Sequence, residues 1–182
     1  GIIEAMAELA GSAYFAFYVG ADIMDSKTNI FQLYQGGIGL GEKEYYLEDD
    51  EATKNIREGY KAHIVKMFQL IGQDEKQATK SMEAVMEIET RLAKKSFNAV
   101  EQRNPAANYH MLTLDELKKQ IPGFDWDAYI NAVGVKGVTS LNVSQIEPVQ
   151  EAVAIINELP IDKQKAYLQW KLIDSAASYL SD

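Results

Sequence analysis

The sequence predicts a mainly α-helical fold, a multi-helix lobe with a small β-hairpin near the N-terminus. Three observations predict it. Apolar residues recur at steps of three and four over long stretches, glycine or proline stands where those stretches stop, and the period changes in two aromatic, β-branched runs near the start. With 182 residues, 47% of them apolar and 25% charged, the chain can build a real core as one domain or as one lobe of a larger architecture. Residues 1–182 are therefore read as one helical lobe.

Residues 2–10 read as the tail of a helix that Gly11 stops, since glycine readily takes the left-handed conformation just past a helix end. Tyr14–Val19 and Asn29–Tyr34 follow as two strands around a polar loop, Asp25–Thr28. Gly36–Gly41 is a flexible connector without the Lys-Ser/Thr of a phosphate-binding loop, so a tight backbone crossing is the plainer reading. From Asp50 to Ile71, the residues Ala52, Ile56, Tyr60, Ile64, Met67, Phe68 and Ile71 share one helical face, and Gly72 ends that helix. Asp74 with Gln77 resembles a capping box and opens a second long helix carrying Met82, Val85, Met86, Leu92 and Ala93. Two long helices on so short a turn should pack as an antiparallel hairpin.

Helix should fail before Asn104-Pro105, because proline disfavours the α conformation in the residue before it. Thr113 with Glu116 is a second capping box, opening a short helix that Pro122-Gly123 closes. Asp125 caps Trp126–Val133, Gly134 and Gly137 mark a loop, and Leu141–Val143 is extended. Pro148 suits the first turn of a helix to Leu159, and Pro160 separates it from a last helix with Ala166, Trp170, Ile173, Ala177 and Leu180 on one stripe.

Charge and composition exclude several functions. A net charge of −9 and a pI near 4.8 repel a phosphate backbone, so nucleic acid is not an expected partner. No apolar run approaches the roughly 20 residues that cross a bilayer, so no membrane-spanning segment is expected. The absence of cysteine excludes a disulfide framework, a thiolate metal site and a cysteine nucleophile within this chain, but does not settle the compartment. The chain opens on Gly1 and runs straight into Ile2–Met6, which suggests a segment of a longer polypeptide.

A hydrolytic zinc site usually takes two histidines at i and i+4 plus a carboxylate. Only His63 and His110 are present, far apart, and neither stands in a His-Glu-x-x-His motif. No Gly-x-Ser-x-Gly elbow surrounds any serine. The acidic run Glu48–Glu51 reads as a solvated helix N-terminus. Glu89 differs, because it falls inside the apolar stripe, three residues from both Met86 and Leu92, where a buried charge needs a partner. A catalytic acid and a structural clamp both fit that placement. The clamp is the better supported, with Arg103 as the cation expected to return to it.

Taken in order, these landmarks resemble a known family. Gln35-Gly36-Gly37-Ile38-Gly39-Leu40 followed by Glu44-Tyr45-Tyr46-Leu47 looks like the Q-x-G-L and Y-Y segment of the neprilysin and endothelin-converting-enzyme zinc metallopeptidases. Met86-Glu87-Ile88-Glu89 with Leu92-Ala93, then Arg103-Asn104-Pro105 and Tyr109, resemble that family's next stretch. Tyr167-Leu168-Gln169-Trp170 and Ser178-Tyr179-Leu180 resemble the one after. Gly37 and Gly41 depart from the larger or proline residues common there.

The resemblance implies a two-lobed peptidase in which a catalytic lobe holds zinc and a helical lobe faces it across an enclosed cavity that admits short peptides. Every matching segment belongs to the helical, non-catalytic lobe. No catalytic or metal-binding residue is therefore assigned here. Zinc is expected in the catalytic lobe of the same polypeptide, which becomes the principal partner together with peptide substrates. The family-motif residues Gln35, Gly39, Leu40, Tyr45 and Tyr46 are candidates for a face towards that lobe, with packing inside this chain as the alternative for the tyrosines. A periplasmic or secreted parent is favoured and a cytoplasmic one left open. The rival function is a free-standing helical interaction module with no catalytic partner.

Overall fold

Aromatic and β-branched residues at alternating positions give β1 (Phe15–Asp22) and β2 (Asp25–Gln35), paired antiparallel from Phe15 opposite Gln35 to Ala21 opposite Asn29. A computed structural model describes residues 11, 13–22 and 24–180 of the chain. The helix tail expected at residues 2–10, and the side chains of Ala177 and Leu180, lie outside the described residues. Gly11 does not stop a helix: it is itself helical, as are Ala13 and Tyr14, and the strand begins at Phe15. Its lack of a side chain serves packing, because a Cβ there would strike the Tyr129 ring.

The hairpin grows into a sheet of four strands in the order β1-β2-β4-β3. β4 (Ser140–Val143) lies parallel to β2, with Phe31 opposite Leu141, and β3 (Met111–Thr113) closes the other edge antiparallel to β4. The sequence reading has the extended Leu141–Val143 but not its parallel pairing, and it has no strand at Met111. Parallel pairing between strands this far apart leaves no local pattern, and three residues are too few to show a period.

Eight α-helices follow or interleave with these strands among the described residues: α1 (Glu44–Leu47), α2 (Glu51–Leu70), α3 (Glu75–Lys95), α4 (Ala99–Gln102), α5 (Leu114–Gln120), α6 (Trp126–Ala132), α7 (Ile146–Glu158) and α8 (Ile161–Leu180). Their starts are set by side chains that satisfy orphan backbone N–H groups. Asp50 accepts from Thr53 N, Asp74 from Gln77 N, and Asp125 from Ala128 N. Thr113 with Glu116, and Asn98 with Glu101, close full reciprocal capping boxes. The second long helix stops at Lys95, before the expected break at Asn104-Pro105, and the Asn98 box restarts it as the short α4.

The chain divides into two compact units, Gly1–Gly37 with Lys95–Asn157, and Ile38–Lys94 with Glu158–Asp182. The first is built on the sheet. Phe15, Phe124, Trp126 and Tyr129 form an aromatic cluster with ring centroids 4.7–6.1 Å apart, edge-to-face except for the tilted Phe15–Trp126 pair, and the buried Trp126 indole donates to Ile121 O at 2.9 Å. The second unit is helical: Ile64 and Phe68 of α2, Val85, Ile88 and Leu92 of α3, and Ala166, Tyr167 and Trp170 of α8 are buried. The α2 stripe enters that core at Ile64 and Phe68. Ile56 and Ile71 remain 44% and 53% exposed.

Replacing Thr113 by alanine removes the oxygen that accepts from Glu116 N and should cost about 1 kcal/mol. Thr113→Ser, which keeps the hydroxyl, should cost much less. Urea midpoints of the two variants separate a lost cap from a lost methyl group, and equal losses would discount the cap.

Candidate functional site

Glu89 is the only acidic side chain that is fully buried among the described residues. It lies on α3 between Ile88 and Leu92, both buried, so the helical period that drives those residues inward carries the carboxylate with them. A carboxylate taken from water costs several kcal/mol unless each oxygen finds donors. Four groups meet it. Gly39 N and the Tyr46 hydroxyl donate to Oε1 at 2.8 and 2.5 Å, and the Tyr60 hydroxyl lies 2.9 and 3.0 Å from Oε1 and Oε2. Lys171 Nζ stands 3.6 Å from Oε2 and also over the Tyr167 ring, 5.2 Å from its centroid.

The next layer satisfies the first. Tyr46 Oη accepts from Leu40 N at 2.9 Å, and Tyr60 Oη accepts from the Trp170 indole at 2.9 Å. Each phenol therefore accepts a bond from one neighbour and donates its own proton to Glu89. Burial, and then the Glu89 charge, push the ionisation of both phenols well above the ordinary tyrosine range.

This constellation fixes the segment from Ile38 to Leu47. Gly41 N bonds Ile38 O in a turn, and Arg57 of α2 closes the far end, donating to Tyr45 O at 3.2 Å, Glu48 O at 3.0 Å and Asp49 Oδ1 at 2.9 Å. Gly39 has no room for a side chain, because a Cβ would collide with the Tyr60 hydroxyl and lie 3.3 Å from Glu89 Oε1.

The expected Glu89–Arg103 pair is not found. Glu89 is met by groups of its own unit, and Arg103 is an exposed residue at the C-terminal end of α4 in the other. Of the five motif residues, Tyr46 is buried and Gly39 and Leu40 give their N–H groups to this network. Tyr45 is half-buried. Gln35 acts in the first unit, where its amide accepts from Phe97 N at 2.6 Å and donates to Phe97 O at 3.0 Å, reading that backbone as a neighbouring strand would. Tyr60, Trp170 and Lys171 are absent from the site residues chosen by sequence. The signal that could have found them is two amphipathic aromatics on the apolar stripes of helices neighbouring a stripe that contains a glutamate.

The first unit buries a second polar system, made of neutral amides. Asn142 on β4 donates to Gln32 Oε1 at 3.0 Å and Asn108 O at 3.2 Å and accepts from His110 N at 2.7 Å. Gln145 donates to Asn108 Oδ1 at 2.6 Å and accepts from Gln35 N at 2.8 Å.

His63 packs edge-on against Trp170, ring centroids 5.7 Å apart, and His110 Nδ1 lies 2.8 Å from Val143 O in the other unit. Among the described residues no group of three or more His, Cys, Asp or Glu is placed to hold a metal ion, and no helix is long and apolar enough to cross a membrane. The buried carboxylate is saturated with donors and is closed to solvent, so its geometry is that of a clamp.

Comparison with known proteins decides the family. The sequence model for the N-terminal region of peptidase family M13 matches residues 1–182. The chain belongs to peptidase family M13. Rat endothelin-converting enzyme 1 is 28% identical over 178 residues, which are 93% of this chain and 23% of that protein. An endothelin-converting enzyme homolog of Locusta migratoria is 29% identical over 180 residues, 92% of this chain and 24% of that protein. The open state of the Mycobacterium tuberculosis zinc metalloprotease Zmp1 superposes with a TM-score of 0.84 at 26% identity, over 94% of this chain and 27% of the metalloprotease. PepO of Lactobacillus rhamnosis HN001, at 17% identity and a TM-score of 0.69, shares the fold. This M13 chain thus spans roughly a quarter of the length of the relatives it matches, and the neprilysin-type resemblance read from Gln35–Leu47 and Met86–Ala93 is confirmed.

Removing the Glu89 side chain strands two buried hydroxyls, one backbone N–H and a lysine. Glu89→Ala should therefore cost about 3–5 kcal/mol, the range for breaking a buried charge constellation by deleting one member. Guanidinium denaturation of the M13 chain measures it, and a loss below about 1 kcal/mol, the median ceiling for surface pairs, would refute the clamp. The phenols supply a pH test. Their folded-state ionisation is raised above the unfolded value of about 10, so their contribution to stability is complete below that pH and lost as pH rises past it. Tyrosinate absorbance at 295 nm should show Tyr46 and Tyr60 ionising only together with the loss of helical circular dichroism. Phe variants at both positions should remove that coupled step.

Proposed function

We propose that this chain is the non-catalytic cap lobe of a neprilysin-like zinc metalloendopeptidase, enclosing the active-site cavity and restricting access to short peptides. The observation that carries the reading is the match to a zinc metalloprotease over 94% of this chain but 27% of that protein, with the family model covering residues 1–182. A segment so placed supplies walls and not ligands. Zinc belongs to a catalytic lobe of the same polypeptide, where it would activate water for attack on a peptide bond. The chain's own contribution is steric and electrostatic: it bars folded proteins from a water-poor cavity, and its net charge of −9 favours entry of cationic over acidic peptides.

The rigidity of the Ile38–Leu47 segment suits this role, since a cavity wall must hold its shape while substrates exchange. Leu40, Tyr45 and Gly39 keep accessible surface and are proposed to face the catalytic lobe. Tyr46 and Gln35 are committed inward to Glu89 and to Phe97.

The test uses the complete reading frame. Fluorogenic peptides of increasing length, and a folded protein containing the same cleavage sequence, are assayed with zinc and with a chelator. Chelator-sensitive cleavage that falls steeply with substrate size is the expected outcome. Cleavage of the folded protein as fast as the short peptide would overturn the cap, and a reading frame with no zinc-dependent hydrolysis would return the chain to the class of interaction modules. Cationic peptides should show a lower KM than acidic ones of equal length, and the difference should shrink at about 1 M salt, where the screening length falls to about 3 Å.

A further inference from the structure

A groove of the second unit lies between α3 and the first half of α8 and measures ≈ 760 Å³, within the range of about 300–1,000 Å³ that ligand sites occupy. The fold creates it by small residues. Ser81 and Ala84 on α3 and Ala166 on α8, all small and buried, line it between the longer polar side chains. From Gln77 to Glu87 the α3 wall is about 15 Å long, the span of about five residues of extended chain.

Its walls differ from the rest of the protein in charge. The chain as a whole carries −9, but the groove presents three lysines, Lys80, Lys163 and Lys165, against three acids, Glu83, Glu87 and Asp162. One opposite pair closes on itself, Lys163 Nζ to Glu87 Oε2 at 2.6 Å, with each side chain about two-fifths exposed. The charged heads left over are of both signs. Between them stand Gln73, Gln77 and Gln169. A primary amide offers two donor hydrogens and an acceptor oxygen, the complement of a peptide group, and it makes no demand on side-chain identity. Gln73 uses its oxygen on the buried Ser81 hydroxyl at 2.8 Å, which orients its NH2 group.

We propose that this groove is a peptide-binding subsite that holds an extended segment carrying charges of both signs, gripping its backbone through the three glutamines. The ligand class rests on the reading of the chain as part of a peptidase. An acidic or a basic homopolymer would meet as many repelling as attracting groups, so the preferred occupant is mixed in sequence.

The test is fluorescence anisotropy on the 182-residue chain with a labelled decapeptide of alternating Lys and Glu separated by alanines, beside decaglutamate and decalysine. Gln77 and Gln169 are exposed, so Gln77→Trp with Gln169→Trp fills the groove while the backbone bond of Gln77 N to Asp74 Oδ1 is kept. The mixed peptide should bind saturably and more tightly than either homopolymer. The double variant should weaken it by about tenfold, a loss of about 1.4 kcal/mol, with unchanged circular dichroism. Lys54→Trp on the exposed surface of α2 should leave binding unchanged. No saturable binding, equal affinity for decaglutamate, or indifference to the double variant would each overturn the proposal. Because the readout is binding by this chain, its failure is distinct from the absence of zinc-dependent hydrolysis in the complete reading frame.

Discussion

The second unit depends on one buried carboxylate. Three helices and one connecting segment meet at Glu89: α3 supplies it, α2 supplies Tyr60, α8 supplies Trp170 and Lys171, and the Ile38–Leu47 segment supplies Gly39 and Tyr46. An apolar residue of the same size would remove the desolvation cost altogether, and such exchanges are often neutral or stabilising. What a leucine could not do is specify direction. Dispersion contacts tolerate small slides of one helix on another, whereas three donors aimed at one oxygen are satisfied in a single arrangement. The carboxylate thus fixes where the glycine-containing segment lies, at the expense of a site that tolerates no deletion.

The first unit solves a related problem with neutral groups. Asn142, Gln32, Asn108 and Gln145 pass hydrogen bonds from one amide to the next under the sheet, each using both its donor and its acceptor. Amides carry no net charge, so burying them does not require a cation, and the desolvation penalty per group is smaller than for an ion. The contrast follows from what must be held: a strand ladder already ordered by its own backbone bonds in one case, and an irregular segment with few of its own in the other.

Local physics was legible in the sequence, and distant pairing was not. The helix starts at Asp50, Asp74, Thr113 and Asp125 were readable because a cap and its N–H partner are three residues apart. The burial of Glu89 was readable too, since its neighbours at helical spacing are apolar. Its partners were not. Tyr60, Tyr46 and Gly39 stand 29, 43 and 50 residues away, and no periodicity says which helices will adjoin. Arg103 was the expected partner because it is near in sequence and cationic, but a buried carboxylate needs donors, and two phenols, a backbone N–H and Lys171 of its own unit supply them. The parallel β2–β4 pairing was missed because it joins residues more than a hundred positions apart, and β3 because its three residues are too few to show a period.

The residues that carry the family resemblance therefore have a physical reading of their own. Gln35, Gly39, Leu40 and Tyr46 are positions where the chain is tied to something distant, and none of them is an obvious chemical group for bond cleavage. A motif of this kind marks attachment points. Gly39 must lack a side chain because the Tyr60 hydroxyl occupies the space, and Tyr46 must be a phenol because its oxygen both accepts from Leu40 N and donates to Glu89. Phenylalanine would fill the same volume and break both bonds. By their geometry, these motif residues record how distant segments of the chain are fastened to one another.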